Sequence, residues 1–105
     1  MTTKVPQRRA TPRVSITLDL LLLRAKGKRI AGRTVDVGAG GMCVTTERPL
    51  TIDEVLECDL PLENRHVHGR ARVLRMQGHN VYALRFEELD EQDRQLLTMV
   101  AARTA

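Results

Sequence analysis

Apolar and polar residues alternate from Val14 to Leu20 (Val-Ser-Ile-Thr-Leu-Asp-Leu), the period-two pattern of a strand with one face on a core. The alternation gives way to Leu21–Leu23, where both faces are apolar. Something must cover the outer face there, either a helix of this chain or a second subunit. Ala25–Arg29, with Gly27 and three charges, reads as a hairpin turn into a second strand from about Ile30 to Val35. Met42–Thr46 is a third run of β-formers, and Val55–Leu60 is a fourth beyond the break at Pro49. After a turn at Pro61–Arg65, His66–Met76 forms a long strand with Gly69 as a bend or bulge, and Gln77–Asn80 closes a hairpin into Val81–Phe86.

The period then changes. Leu96, Leu97, Val100 and Ala101 recur at three-to-four spacing behind Asp90, which can cap a helix whose first turn holds Glu91 and Asp93. Six short strands and one amphipathic helix predict a small closed or nearly closed antiparallel barrel with the helix packed on it, the double-sided Leu20–Leu23 segment being its natural seat.

A chain of 105 residues, 42% of them hydrophobic, is sized for one core and one domain. Tyr82 and Phe86 are its only aromatic residues, so aliphatic side chains must fill the core and base-stacking platforms are scarce. Residues 1–13 hold two prolines, four basic residues and little apolar surface, which predicts a flexible arm ahead of a barrel spanning residues 14–105. The net charge of +4 is unevenly spread: about +8 over residues 1–33 and −4 over 34–105. That asymmetry points to an anionic partner for the N-terminal end, whether nucleotide, nucleic acid or membrane surface. Cys43 and Cys58 lack ligand spacing and read as buried, reduced thiols. The longest apolar run, Leu20–Leu23, cannot span a bilayer, and the N-terminus has no apolar signal segment; a cytoplasmic protein is expected.

Little in the chain asks for catalysis. Ser15, the only serine, lies in a strand alternation rather than on a strained elbow, and the carboxylate pairs Glu87-Glu88 and Asp90-Glu91 sit where capping explains them. His66 and His68 share a strand face without a third ligand at suggestive spacing and read as solvent-exposed. Asp36-Val-Gly-Ala-Gly-Gly41 is more pointed. Three glycines and one carboxylate between two strands predict a sharply turned loop with open space above it, although an Asx-turn at Asp36 would serve the same residues. Ahead of the first strand stand Arg9 and Arg13, whose planar forks fit phosphate and stack on bases. Four extended residues span about 13 Å, so the two could grip opposite sides of one dinucleotide.

An RxxxR before the first strand and an Asp-Gly loop after the second together resemble the PilZ domain family, bacterial receptors for cyclic di-GMP. The family pattern is RxxxR followed by (D/N)xSxxG; here these are Arg9–Arg13 and Asp36–Gly41. Gly69-Arg-Ala-Arg-Val-Leu74, Tyr82–Phe86 and the terminal helix also look like the family's last strands and cap. The resemblance covers roughly residues 8–102 and implies a six-stranded antiparallel barrel capped by a C-terminal helix. One position departs from it: Gly38 stands where the family has serine, which removes a hydroxyl and leaves a backbone amide.

The resemblance implies a stand-alone receptor, not an enzyme, with cyclic di-GMP as its ligand and no other cofactor. Arg9 and Arg13 would contact phosphates and guanine faces, and Asp36 would accept from the N1 and N2 edge of a guanine. Gly38, Gly40 and Gly41 would let that base lie close to the backbone, while Arg8 resembles the position that influences whether one nucleotide or a stacked pair is bound. Signalling would follow from ligand-induced ordering of the arm, read by an unidentified downstream protein. Two other readings stay open. One is a PilZ-like adaptor that binds no nucleotide, for which the missing serine argues; the other is a single-stranded nucleic-acid barrel, against which the scarcity of aromatic rings argues.

Overall fold

The computed structural model describes residues 12–104; of the arm expected over residues 1–13, the part up to residue 11 lies outside them. Seven strands and a helix follow in order: β1 Arg13–Ser15, β2 Asp19–Leu23, β3 Arg29–Gly38, β4 Gly41–Thr46, β5 Val55–Leu62, β6 Arg65–Gly78, β7 Val81–Leu89 and α1 Glu91–Thr104. Antiparallel pairings run from β3 through β2, β5, β6, β7 and β4 back to β3, so six strands close a barrel. β1 is an extra strand on the later half of β3.

The single first strand expected from the alternation is therefore two, because of one residue on β3. Thr34 is buried, and its hydroxyl donates to the Ile16 carbonyl (2.6 Å) while accepting from the Leu18 amide (2.9 Å). A side chain thus stands in for ladder partners where β1 leaves β3 and β2 joins it. Beside it the β3–β4 register shifts between Thr34 and Asp36, and Val35 bulges out, 44% exposed. With β1 as a partner, β3 continues to Gly38 instead of ending at Val35. The turn expected at Pro61–Arg65 also tightens, since β5 runs through Leu62 and β6 starts at Arg65, with Glu63 at a φ of 57°.

Leu22, Ile30, Met42, Leu56, Leu60, Val67 and Leu84 fill the barrel, and Tyr82 and Phe86 are buried with them. Asp90 caps α1, its Oδ1 accepting from the Gln92 amide (2.8 Å). In the first turn Asp93 is buried and ties the helix to β6: its Oδ2 accepts from the His68 amide at 3.4 Å. Arg65 Nη2 lies 2.6 Å from Asp93 Oδ1 as a charge contact, off the hydrogen-bonding direction. The helix does not rest on the double-sided leucines. It packs on β1 and β3, and its buried Leu97, Val100 and Ala101 join the cluster that holds Val14 and Val37. Val14 and Val37 face each other only because β1 folds onto β3, a pairing that creates the apolar surface α1 covers, whereas Leu21 stays 38% exposed.

Candidate functional site

The β1–β3 register sets Arg13 opposite Gly38, Val14 opposite Val37 and Ser15 opposite Asp36. Val14 and Val37 point into the core, so by strand alternation Arg13, Ser15 and Asp36 share the outer face. There Arg13 Nη1 donates to Asp36 Oδ1 at 3.1 Å, with the two side chains 14% and 19% exposed. Two glycines make room for the pair. A Cβ on Gly38 would collide with the Pro12 carbonyl oxygen and stand 3.1 Å from Arg13 Cγ; one on Gly41 would collide with the Leu84 carbonyl oxygen and stand 3.1 Å from Arg13 Nη2. The chain entering β1 therefore lies directly on Gly38, and the Arg13 guanidinium reaches across toward Gly41.

This arrangement corrects the expectation of an open glycine loop. Asp36–Gly38 belong to β3 and Gly41 opens β4, so only Ala39 and Gly40 bend between them. Among the described glycines, positive φ is found instead at Gly27 (85°), in the β2–β3 hairpin. Close approach of backbone and guanidinium, not a left-handed turn, is what Gly38 and Gly41 permit. The space expected above the glycines is taken by Pro12 and Arg13. Nor does Asp36 bond its own turn in the pairing observed, since Arg13 is 23 residues away. The Gly40 carbonyl accepts from the Phe86 amide (3.0 Å) and the Ala39 carbonyl from Arg94 Nη1 (3.2 Å). That helix contact to the turn was not legible in the sequence. Of the predicted site residues, Arg13, Asp36, Gly38 and Gly41 come together and Gly40 adjoins them, while Arg8 and Arg9 lie outside the described residues.

Farther round the barrel, Cys43 stands opposite Asp36, its thiol donating to Gln77 Oε1 (3.2 Å). Arg85 stands opposite Gly41 and Arg72 opposite Arg85. Glu87 serves both, receiving Arg72 Nε at 2.5 Å and Arg85 Nη2 at 3.2 Å. The Arg72 hydrogen bond holds the Glu87 carboxyl below its ordinary value. Only cross-strand register brings these side chains to the site's flank, and the Arg70–Arg72 alternation was their one signal in the sequence. Elsewhere, His66 and His68 are exposed as expected, but Asp59 on β5 joins them, its Oδ1 lying 2.8 Å from His66 Nδ1 and 4.0 Å from His68 Nδ1. Among the described residues no group of three or more His, Cys, Asp or Glu is arranged to hold a metal. Burial pushes the Cys58 thiol up to about 12, which keeps it protonated near neutrality.

The family model of the PilZ domain matches residues 7–102, taking in both the arginine pair and the Asp36–Gly41 segment. The chain belongs to the PilZ domain family. Over 103 residues, 92% of this chain, it is 35% identical to two Komagataeibacter xylinus proteins assigned as cellulose synthases 2 and 3, of whose length it spans 7%. Its fold is similar to that of the Bacillus subtilis inhibitor of motility MotI/DgrA, with a TM-score of 0.82 and 23% identity, covering 95% of this chain and 52% of that one. It is also similar to the PilZ domain, with c-di-GMP, of YcgR from Escherichia coli: TM-score 0.74, 18% identity, 93% of this chain and 92% of that one. The closed six-stranded barrel with a C-terminal helix is thus the PilZ fold, here carrying β1 as one strand more.

Proposed function

We propose that this PilZ domain binds cyclic di-GMP on the outer face of β1 and β3 and reports it through the N-terminal arm. The observation that carries the reading is the Arg13–Asp36 pair set over Gly38 and Gly41. A cation and an anion placed side by side match a ligand that offers phosphate oxygens and a guanine edge. On binding, Arg13 exchanges a carboxylate for phosphate, and Asp36 exchanges a guanidinium for the N1–H and N2–H donors of guanine. Adenine offers no such donor pair and would leave Asp36 unmatched, which gives the site its base preference. Gly38, Gly40 and Gly41 keep the floor flat, while Arg8 and Arg9 close on the nucleotide from the preceding segment, three guanidiniums favouring a stacked pair. Ordering the arm costs roughly 1–2 kcal/mol per residue fixed, and the arginine–phosphate contacts must exceed that. The closed arm is then the surface a downstream protein reads, so the role is recognition without a catalytic step.

Both aromatic rings are buried, leaving none to stack on single-stranded bases, which disfavours nucleic acid as the ligand. Among the described residues no helix is long and apolar enough to cross a membrane. Calorimetric titration with cyclic di-GMP, GMP and a short oligonucleotide tests the reading: saturable binding of the first alone is expected. Binding of none would favour the adaptor reading, and binding of the oligonucleotide would reopen the other. Trypsin reports on the arm, since cleavage near Arg8 and Arg9 should be suppressed by saturating cyclic di-GMP, whereas Arg13 is already held in β1 against β3. Equal cleavage with and without ligand would remove the arm from the mechanism.

A further inference from the structure

Asp36 has a different neighbour on each side of its strand. Toward β4 it faces Cys43, buried and bonded to Gln77; toward β1 it faces Ser15, which is exposed. Among the described residues the Ser15 hydroxyl makes no hydrogen bond, and it stands two positions from Arg13 on the same outer face. Cross-strand side chains of this kind stand about 5 Å apart at Cβ, close enough for one purine edge to meet both. The guanine edge whose N1–H and N2–H donors suit Asp36 ends in the O6 acceptor. A carboxylate can only accept, so O6 needs a donor beside it, and Gly38 has no side chain to supply one. We infer that Ser15 is a specificity-determining residue of this site: its hydroxyl donates to guanine O6 while Asp36 accepts from N1 and N2. The inference rests on the proposed cyclic di-GMP site and adds to it the residue that completes recognition of the base.

Calorimetry with cyclic di-GMP on the full chain tests it through Ser15→Ala and Ser15→Thr, each with a melting curve. Ser15→Ala should weaken binding about five- to tenfold, the range for one hydrogen bond, and should leave the melting temperature unchanged because the side chain is exposed. Ser15→Thr keeps the hydroxyl and should bind within about twofold of the parent, a tolerance set by one retained hydrogen bond. The Ser15→Ala loss should persist with the cyclic dinucleotide of hypoxanthine, which retains O6 but lacks the 2-amino group. Parent-like affinity in Ser15→Ala overturns the role of Ser15 while leaving the proposed function standing. Failure of the parent itself to bind cyclic di-GMP overturns the site and this assignment with it.

Discussion

Arg13 holds Asp36 in place in the absence of nucleotide and, in the proposed mechanism, hands it over when phosphate arrives. Arg13→Ala should therefore abolish cyclic di-GMP binding yet lower stability by only about 1 kcal/mol, the scale of a partly exposed ion pair; calorimetry and urea midpoints check the two halves separately. A larger loss of stability with binding retained would make the pair structural only. Gly38 is predicted to resist the substitution that would restore the family's serine. A Cβ there meets the Pro12 carbonyl rather than a flexible side chain, so Gly38→Ser should cost on the order of 1–3 kcal/mol and bind more weakly. An unchanged urea midpoint would show that the chain entering β1 yields instead. The residue types were readable in the sequence because RxxxR and the Asp-Gly run each carry their chemistry in their spacing. The Arg13–Asp36 contact was not, since it depends on the register of a three-residue strand.

Thr34 shows how far one side chain can redirect an element. Its hydroxyl splices β1 to β2, so Thr34→Val, similar in shape but without the hydroxyl, should leave the Leu18 amide and Ile16 carbonyl short of a partner and cost roughly 1–3 kcal/mol. Hydrogen exchange should locate the loss at residues 16–18, and protection there equal to the parent's would remove Thr34 from that role. Apolar alternation cannot distinguish one strand from two in register around a polar side chain, so Val14–Leu23 read as continuous. The seat of α1 was hidden for the same reason, because the Val14–Val37 surface exists only once β1 turns back. The loop ahead of β5 carries a pH dependence of its own. Burial opposes ionisation of Glu54, but the Arg24 guanidinium (Nε–Oε2, 2.7 Å) and the Thr51 amide (3.0 Å) outweigh it and hold the carboxyl below its ordinary 4.5. As pH falls the unfolded chain takes up this proton first, so the stabilisation is present above 4.5 and is lost as pH drops through the folded-state value. Urea midpoints from neutral pH into that range should fall less steeply for Glu54→Gln than for the parent, and identical slopes would remove this pair from the acid dependence.

At the scale of the whole molecule, a closed barrel leaves few edges to rearrange, and the proposed site lies where the one extra strand meets it. Ligand that binds only the folded barrel should stabilise it as a unit, by about 2.7 kcal/mol at a hundredfold excess over Kd. For a domain of this size that corresponds to a rise in melting temperature of roughly 10–20 °C, with cyclic di-AMP giving far less. The barrel itself was legible because six runs of β-formers and a change of period are local signals, whereas the extra strand, the helix seat and the occupied glycine floor arise from pairings distant in sequence. The most direct test remains a calorimetric titration of cyclic di-GMP into the full chain beside Asp36→Ala. Saturable binding by the parent that prefers guanine over adenine, with that preference lost or binding abolished in Asp36→Ala, is the predicted result. No binding by the parent, or equal affinity and unchanged base preference in the variant, would contradict it.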